Sequence, residues 1–417
     1  MKIVLIGAGQ RGWIYAGYLH EKKGAEIAAV VDISQEKLLR AKERFGTPED
    51  MLFSDFDSFA QKRPDLSGVI ISTMDRDHYK QAMKCLELGY DILLEKPISP
   101  DIAECAQIQK KAKETNRKVL VCHVLRYTNF FAKIKEFLDS GEIGKIVTIQ
   151  HAENIGSFHM AHSFVRGNWR NSDESSPIIM QKSCHDMDIL VWLVGSRAKE
   201  ISSFGSLTYF RSENAPEGSS DRCLTCPVSA DCRFDVKKAY LPVRGGWPAE
   251  VICEDQSEEG LLEALKESPY GRCVFKCDNN VCDNQVTNIL FENGVTASFH
   301  LSGLTNRMHR TIKIMWETGE IVGDDYDNTL VVTHYSPNAH YEGETRTINV
   351  QSKEGFHGGG DFGLSVDFYN MLSGGECESL SSIDKSVESH IMALAAERSR
   401  LTGETLHLDD LRKEFDL

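Results

Sequence analysis

The chain has 417 residues, more than a single hydrophobic core usually holds, so its length predicts two domains. Its 47 lysines and arginines against 62 aspartates and glutamates give a formal charge of −15, which repels phosphate backbones and anionic lipids and argues against nucleic-acid and membrane partners. With no signal peptide or membrane span predicted, we expect a cytoplasmic protein whose 12 cysteines are reduced thiols or metal ligands.

The first part of the chain alternates short apolar strands with helical segments. Strands are predicted at residues 2–6, 26–32, 68–73, 90–97 and 118–124. Helices are predicted at residues 11–21, 35–45, 77–88 and 100–115. Regular alternation is typical of βαβ units, which place helices on both faces of a parallel sheet. The sequence therefore predicts an α/β, doubly wound Rossmann domain over residues 1–124.

After a helix at 128–139 the pattern changes, because strands follow one another with few helices between them. These strands are predicted at residues 145–154, 199–210, 285–292, 296–303 and 310–318. Helices are predicted at residues 176–194, 361–373 and 383–401. Such a run favours a large, mostly antiparallel sheet, and hence an α+β second domain over 125–417. Residues 211–284 are rich in cysteine and poor in strand signal, so we interpret them as an insertion without an apolar core of its own.

A dinucleotide-binding motif opens the chain. Gly7, Gly9 and Gly12 form G-x-G-x-x-G between the first strand and the first helix, where a pyrophosphate can approach the free amides of the helix start. Asp32 follows 20 residues after Gly12, at the end of the second strand. A carboxylate there binds ribose hydroxyls and repels a 2′-phosphate. The pattern predicts NAD rather than NADP as the cofactor.

Four motifs resemble the glucose–fructose oxidoreductase/inositol dehydrogenase (Gfo/Idh/MocA) family. They are GAGQRG (7–12), EKP (95–97), GNWRN (167–171) and KSCHDMDILVWL (182–193). The segments HGGGDFGL (357–364) and AAERSRLTGE (395–404) are similar to one subgroup. The resemblance implies a Rossmann domain followed by an open-faced sheet, whose exposed face forms homodimers or homotetramers.

The resemblance also implies which side chains contact the dinucleotide. Besides the glycines and Asp32, these are Gln10, Arg11, Thr73, His78, Glu95, Lys96, Trp169 and Arg170. Trp169 and Arg170 would lie near the nicotinamide end.

Three residues are candidates for the chemistry of alcohol oxidation. Lys96 ends a strand of the α/β sheet, where its ammonium can stabilise a developing alkoxide. Lys182 and His185 lie three residues apart on a predicted helix, so they share a face, and the imidazole is suited to take the hydroxyl proton. Lys182 could instead pair with Asp186. Many family dehydrogenases have an aspartate four residues before the histidine, whereas this chain has Gln181. Which of Lys182 and His185 is the base stays open.

A carbohydrate-like substrate is expected from the polar and aromatic residues that accompany these motifs. The candidate substrate-binding residues are Arg126, Tyr127, His159, Arg166, Asn168, Trp169 and His357. Three functions remain open: an NAD-dependent dehydrogenase acting on a ring hydroxyl of a sugar, glycoside or cyclitol; a glycoside-cleaving enzyme that oxidises its substrate transiently with retained NAD; and an NAD-binding sensor without catalysis.

The insertion contains a possible metal site. Cys223-x2-Cys226-x5-Cys232 has the short spacing that lets thiolates surround a tetrahedral Zn²⁺, with Cys277 or Cys273 as the fourth ligand. Unliganded reduced thiols and an iron–sulfur cluster are the alternatives.

Overall fold

The computed structural model describes residues 1–141, 143–377 and 379–417. Six parallel strands form the first sheet, in the order β3-β2-β1-β4-β5-β6. They are β1 Lys2–Ile6, β2 Glu26–Val31, β3 Leu52–Phe53, β4 Gly68–Ile71, β5 Asp91–Leu94 and β6 Val119–Val121. The strand order reverses between β1 and β4, where doubly wound sheets bind ligands beyond the carboxyl ends of their strands.

Five helices accompany this sheet. They are α1 Gln10–Lys23, α2 Gln35–Phe45, α3 Phe56–Lys62, α4 Asp75–Glu87 and α5 Ile102–Thr115. The predicted alternation is confirmed, although β3 and α3 had not been predicted, because two strand residues and a two-turn helix give almost no periodic signal.

The second sheet is mostly antiparallel and has nine strands, in the order β14-β13-β12-β11-β7-β10-β9-β8-β15. The strands are β7 Ile146–Asn154, β8 Ala198–Ser206, β9 Asn284–Phe291, β10 Thr296–Ser302, β11 His309–Trp316, β12 Gly319–Asp324, β13 Thr329–His334, β14 Glu344–Asn349 and β15 Leu406–His407. Among the described residues of this sheet, only β7 and β10 pair in parallel. Buried residues alternate with more exposed ones along β11, so one face of the sheet packs and the other stays open.

The remaining helices lie between and after these strands. They are α6 Asn129–Asp139, α7 Ser157–His159, a π-helix Met160–Arg166, α8 Ile178–Gln181, α9 Cys184–Val194, α10 Val236–Tyr240, α11 Glu258–Glu267, α12 Gly360–Ser373, α13 Ile383–Thr402 and α14 Leu408–Phe415. No helix of the described residues is long and apolar enough to cross a membrane.

Two expectations about this half of the chain are wrong. The single helix predicted over 176–194 is interrupted, because α8 ends at Gln181 and α9 begins at Cys184. The insertion does have a small apolar core, in which Val236, Tyr240, Leu261 and Leu265 are buried together with Cys223.

The last third of the chain returns to the first domain. Leu364, Phe368 and Met371 of α12 are buried in one cluster with Ile3 and Leu5 of β1. The two sheets separate between β6 and β7, while a domain division at residue 124 stays a prediction, since α12 packs on the Rossmann side.

We predict that α12 holds the two domains together through Phe368, which is fully buried. Phe368→Ala should lower the free energy of unfolding by about 3–5 kcal/mol, because it removes a buried ring and leaves a cavity. Leu401→Ala, at a leucine that is 67% exposed, should change it by about 0.5 kcal/mol or less. Urea denaturation followed by tryptophan fluorescence measures both, and equal effects would contradict the assignment.

Candidate active site

The glycine loop between β1 and α1 has the geometry that its sequence predicts. Gly7 has φ +89°, and a Cβ there would lie 2.7 Å from the Ser72 backbone. A Cβ on Gly12 would lie 2.3 Å from the Gly7 carbonyl oxygen, so α1 approaches the loop as closely as backbone permits. A Cβ on Gly9 would meet nothing within 4 Å. The space beside Gly9, at the start of α1, is therefore open for a phosphate group.

Asp32 lies beside this loop at the end of β2. Its Oδ2 accepts a hydrogen bond from the Ala8 amide at 2.8 Å, and its Oδ1 accepts one from the Ser34 amide at 2.9 Å. Lys37 Nζ lies 3.6 Å from Oδ2. Each carboxylate oxygen keeps a further lone pair, so the group can still accept a bond from a ribose hydroxyl.

Arg11 connects three parts of the molecule. Its Nε donates to Glu95 Oε1 at 2.8 Å, and its guanidinium also pairs with Asp361 of α12. The Tyr15 hydroxyl donates to the same Glu95 oxygen at 2.8 Å. Burial would raise the pKa of Glu95, but Arg11 and Lys96 hold it below its usual value, so the carboxylate is charged. Arg11 and Glu95 thus stabilise the start of α1, next to the glycine loop.

Thr73 and His78 hold the neighbouring loop. The Thr73 hydroxyl donates to Gln81 Oε1 at 2.7 Å. His78 is buried, with Nδ1 2.8 Å from the Pro97 carbonyl oxygen and Nε2 3.3 Å from that of Thr73. Both ring nitrogens therefore contact protein, and His78 can affect a dinucleotide only by positioning these loops.

Lys96, which follows β5, lies close enough to His185 of α9 for its charge to act on the imidazole. Lys96 Nζ donates to the Gln181 carbonyl oxygen at 2.8 Å. His185 is buried, and its Nδ1 has no hydrogen-bond partner among the described residues. Its ring centroid is 5.6 Å from that of His123 and 6.4 Å from that of His357. Burial, with the nearby charge of Lys96, lowers the pKa of His185 well below its ordinary value, so the imidazole is neutral.

Lys182 belongs to a charged network that includes residues of β7 and β11. Its Nζ lies 3.5 Å from Glu153 Oε1. Glu153 also pairs with Arg310, the residue opposite it on β11. Asp186 is occupied elsewhere: its Oδ1 lies 2.7 Å from Arg310 Nε and 2.9 Å from His151 Nε2. Lys182 therefore pairs with Glu153 rather than with Asp186. Burial lowers its pKa.

His159, His357 and Trp169 are the predicted substrate residues that reach this region. Burial lowers the pKa of His159 well below its ordinary value. Three nearby basic groups, those of Lys182, Lys96 and His357, act in the same direction. His357 Nδ1 lies 2.9 Å from Asp361 Oδ2. Trp169 is 38% exposed, with its ring centroid 6.1 Å from that of Phe164.

Four other predicted residues have their polar groups engaged by protein. Arg126 donates from Nε and Nη2 to Asp188, both at 2.7 Å, in a buried pair. The Tyr127 hydroxyl donates to Asp367 at 2.8 Å. Arg166 is buried beneath the insertion, and Arg170 binds Asp278 through two bonds of 2.8 and 2.9 Å. These contacts do not support substrate binding by Arg126, Tyr127 or Arg166, or cofactor binding by Arg170, whereas Asn168 is exposed at the surface.

A segment of the insertion, Trp247–Glu254, covers the dinucleotide side. Glu250 Oε1 accepts a bond of 2.8 Å from Gln10 Nε2, at the start of α1. The Glu254 carboxyl lies close to that of Glu36 of α2, and this proximity raises the pKa of Glu36. The Trp247 ring centroid lies 5.1 Å from that of His159. We call Trp247–Glu254 the covering segment, since it reaches from the second domain to both α1 and α2.

The proposed zinc ligands are not assembled as the sequence suggested. Among the described residues, no three histidine, cysteine, aspartate or glutamate side chains are placed to hold a metal ion. The Cys277 thiol instead contacts the Cys273 carbonyl oxygen at 3.2 Å. All 12 cysteines are free thiols.

Several site residues had not been predicted from the sequence. They are Tyr15, Glu153, Trp247, Glu250, Arg310 and Asp361. Asp361 lies within HGGGDFGL, so its place in a resembling motif was a usable signal. The others carry no local signal, because their partners lie far away in the chain.

The comparisons with known proteins agree with this arrangement. Residues 1–123 match the oxidoreductase family model with an NAD-binding Rossmann fold, and residues 131–322 match a GFO/IDH/MocA C-terminal domain. The chain is 25% identical over 381 residues to YteT of Bacillus subtilis, an oxidoreductase by name, covering 85% of this chain and 87% of YteT. It is 28% identical over 229 residues to an inositol 2-dehydrogenase of Rhodococcus jostii, covering 53% and 56%.

A solved structure shows the same fold. Levoglucosan dehydrogenase in complex with NADH and L-sorbose superposes with a TM-score of 0.72 at 18% identity, covering 98% of both chains. Two family models together span both domains. The chain belongs to the Gfo/Idh/MocA family of NAD-binding oxidoreductases.

Proposed function

We propose that this protein transfers a hydride between NAD and a ring hydroxyl of a sugar, glycoside or cyclitol. The observation that carries the proposal is the meeting of a neutral, buried His185 with Lys96 and Lys182 beside the crevice of the first sheet. Similarity to an inositol 2-dehydrogenase and to a levoglucosan dehydrogenase supports a polyhydroxylated substrate.

Each of the three residues has a task in oxidising an alcohol. NAD, when bound, supplies the hydride acceptor. The neutral imidazole of His185 takes the hydroxyl proton, which a charged imidazole could not do. Lys96 binds the reacting oxygen and stabilises its developing negative charge. Lys182 contributes positive charge from the network with Glu153 and Arg310.

His159, His357 and Trp169 are proposed to bind the remaining hydroxyls and one face of the ring. Trp247 adds an aromatic surface beside His159. A rigid polar and aromatic wall is well suited to a carbohydrate, because hydroxyls need hydrogen bonds and C–H faces need apolar contact.

The covering segment favours a second candidate, glycoside cleavage through transient oxidation. Gln10 and Glu250 join two domains across the dinucleotide side, which would slow exchange of the cofactor. An enzyme that reuses its NAD within one catalytic cycle needs no such exchange.

We also propose a cytoplasmic homodimer or homotetramer. Val147, Phe204 and Val322 are exposed on the open face of the second sheet, and contact between copies would bury them. Free thiols throughout the described residues suit a reducing compartment.

The experiment that tests the function follows absorbance at 340 nm with purified protein, NAD and a panel of sugars, cyclitols and aryl glycosides. Accumulation of NADH supports the dehydrogenase. Aglycone release without net NADH supports the second candidate. NAD binding with neither response would reject both and leave a sensor.

The pH profile should show the lowered pKa values of His185 and Lys182. His185 must be neutral to accept a proton, so the acid limb of kcat/KM should fall below pH 6.5. Lys182 loses its charge above its pKa, so the alkaline limb should begin below pH 10.5.

Variants assign the two limbs, with initial rates measured on the substrate found in the panel. Lys182→Arg should move the alkaline limb to higher pH, since a guanidinium keeps its charge. His185→Asn should lower kcat by about 10²- to 10⁴-fold. An acid limb above pH 6.5, or an active His185→Asn enzyme, contradicts the proposed base.

Asp32 should determine the choice of NAD over NADP. Asp32→Ala should weaken NADH binding by about 10- to 100-fold, the value of one hydrogen bond to a charged group, and should strengthen NADPH binding by removing the repulsion. Fluorescence titration of both cofactors measures this. Asp55→Ala also removes a carboxylate that accepts a backbone amide, but at the N-cap of α3 rather than beside the glycine loop, and is the control. Unchanged affinities in Asp32→Ala would overturn the assignment.

A further inference from the structure

A second buried histidine lies beside His185. His123 follows β6 by two residues and is fully buried. Its ring centroid is 5.6 Å from that of His185 on α9, and the two ring planes are inclined at 77°. The Nδ1 atoms of both imidazoles are buried and have no hydrogen-bond partner among the described residues. Two such nitrogens in neighbouring side chains are unusual, because buried polar groups in proteins are nearly always hydrogen-bonded.

The surroundings of His123 determine which of its nitrogens carries the hydrogen. Burial, with the nearby charges of Arg126 and Lys96, lowers the pKa of His123 well below its ordinary value, so the ring is neutral and has one N–H. Its Nε2 lies 3.5 Å from Ser389 Oγ, and the Ser389 hydroxyl itself donates to the Ser386 carbonyl oxygen at 2.7 Å. Ser389 can therefore only accept from Nε2, which places the hydrogen of His123 on that nitrogen.

Two neighbouring side chains favour the same arrangement. Asp188 Oδ1, a further acceptor, lies 4.0 Å from His123 Nε2. His390, whose ring centroid is 5.8 Å from that of His123, accepts the Ile98 amide on Nε2 at 2.9 Å. Its Nδ1 therefore carries the hydrogen and lies 3.1 Å from the Ser386 carbonyl oxygen. Because His390 is engaged on both nitrogens, Nδ1 of His123 is left as an acceptor for another group.

Other polar side chains near His185 are bonded to different partners. Gln181, four residues earlier in the chain, donates from Nε2 to the first carboxylate of α4. His357 Nδ1 contacts a carboxylate of α12 at 2.9 Å. Ser183 is the exception, because its hydroxyl is buried and has no partner within the described ranges. His123 and Ser183 are thus the two candidate partners of the His185 Nδ1 atom, and only His123 has a lone pair that its own contacts hold in place.

We propose that His123 is a positioning residue, whose Nδ1 accepts a hydrogen bond from Nδ1–H of His185 and so leaves Nε2 of His185 as the base. An N–H···N bond of about 3 Å between two imidazoles places their centroids about 5 Å apart, so a small rotation of either ring completes the contact. Hydrogen bonds of catalytic groups are often long in the free enzyme and shorten when substrate binds. The inference rests on the proposed function, in which His185 is the base.

The position of the hydrogen matters because only an unprotonated ring nitrogen can take the hydroxyl proton. The alcohol gives its hydride to NAD and its proton to His185 Nε2, and the bond from Nδ1–H to His123 stabilises the imidazolium that forms. His123 gains no proton and contacts no substrate. Because His123 is neutral, it fixes the tautomer of His185 without raising its pKa, as a carboxylate in the same place would.

Two amide variants test the two sides of the His123 ring. His123→Asn keeps an acceptor near the position of Nδ1, whereas His123→Gln keeps a polar group only near Nε2. In His123→Gln, kcat should fall about 10- to 100-fold with KM and NADH affinity within about twofold, because the buried donor of His185 loses its partner. His123→Asn should stay within about threefold of the wild-type kcat, since it restores that bond. Ser183→Ala is the control and should keep the wild-type kcat.

Nitrogen NMR of the full chain, prepared with isotope-labelled histidine, gives a second readout that needs no turnover. The shifts of the two ring nitrogens show which one carries the hydrogen, and the signals missing from His185→Asn identify His185. We expect Nδ1–H in the wild type and in His123→Asn, and Nε2–H or a mixture in His123→Gln. Nε2–H in the wild type, equal kcat of His123→Asn and His123→Gln, or loss of the Nδ1–H form in Ser183→Ala would each overturn the proposal. Absence of turnover with every substrate would reject the proposed function alone, because the tautomer is measured separately.

Discussion

The site depends on the ion group of Arg11, Glu95 and Asp361, in which a partly exposed guanidinium bridges two buried carboxylates. One guanidinium joins the start of α1, the end of β5 and the start of α12. Glu95 accepts the backbone amide of Lys96 at 2.8 Å, and Asp361 contacts His357. Lys96 and His357, two residues of the proposed site, are therefore positioned by carboxylates that pair with one guanidinium. Removing a single member would leave a buried charge without its partner, which is more damaging than losing a surface ion pair.

Sequence motifs predicted those parts of the fold that depend on residues close together in the chain. The glycine loop and Asp32 could be assigned from spacing, because turn geometry and close backbone approach need glycine at fixed positions. The interruption between α8 and α9 was not predictable, since the sequence around Lys182 and Ser183 favours one continuous helix. Tertiary contacts, including that of Lys96 with the Gln181 carbonyl oxygen, accompany this break.

Long-range partners account for what the sequence could not reveal about the site. Arginine is a residue type that often binds polar substrates. Here, however, Asp188 pairs with the guanidinium of Arg126, and the insertion covers that of Arg166. A pattern of residue types shows which groups are available, whereas the three-dimensional arrangement decides which of them stay free. The pairing of Glu153 with Arg310 likewise cannot be predicted from the sequence, because it depends on the register between β7 and β11.

The covering segment restricts how the two domains can move. Many two-domain enzymes admit ligands by rotating one domain away from the other about a hinge. Here such a rotation would have to break the Gln10–Glu250 contact and pull α12 from its place against β1. The Gln10–Glu250 contact is a single exposed hydrogen bond, so displacing this short segment would cost less free energy than pulling α12 off β1.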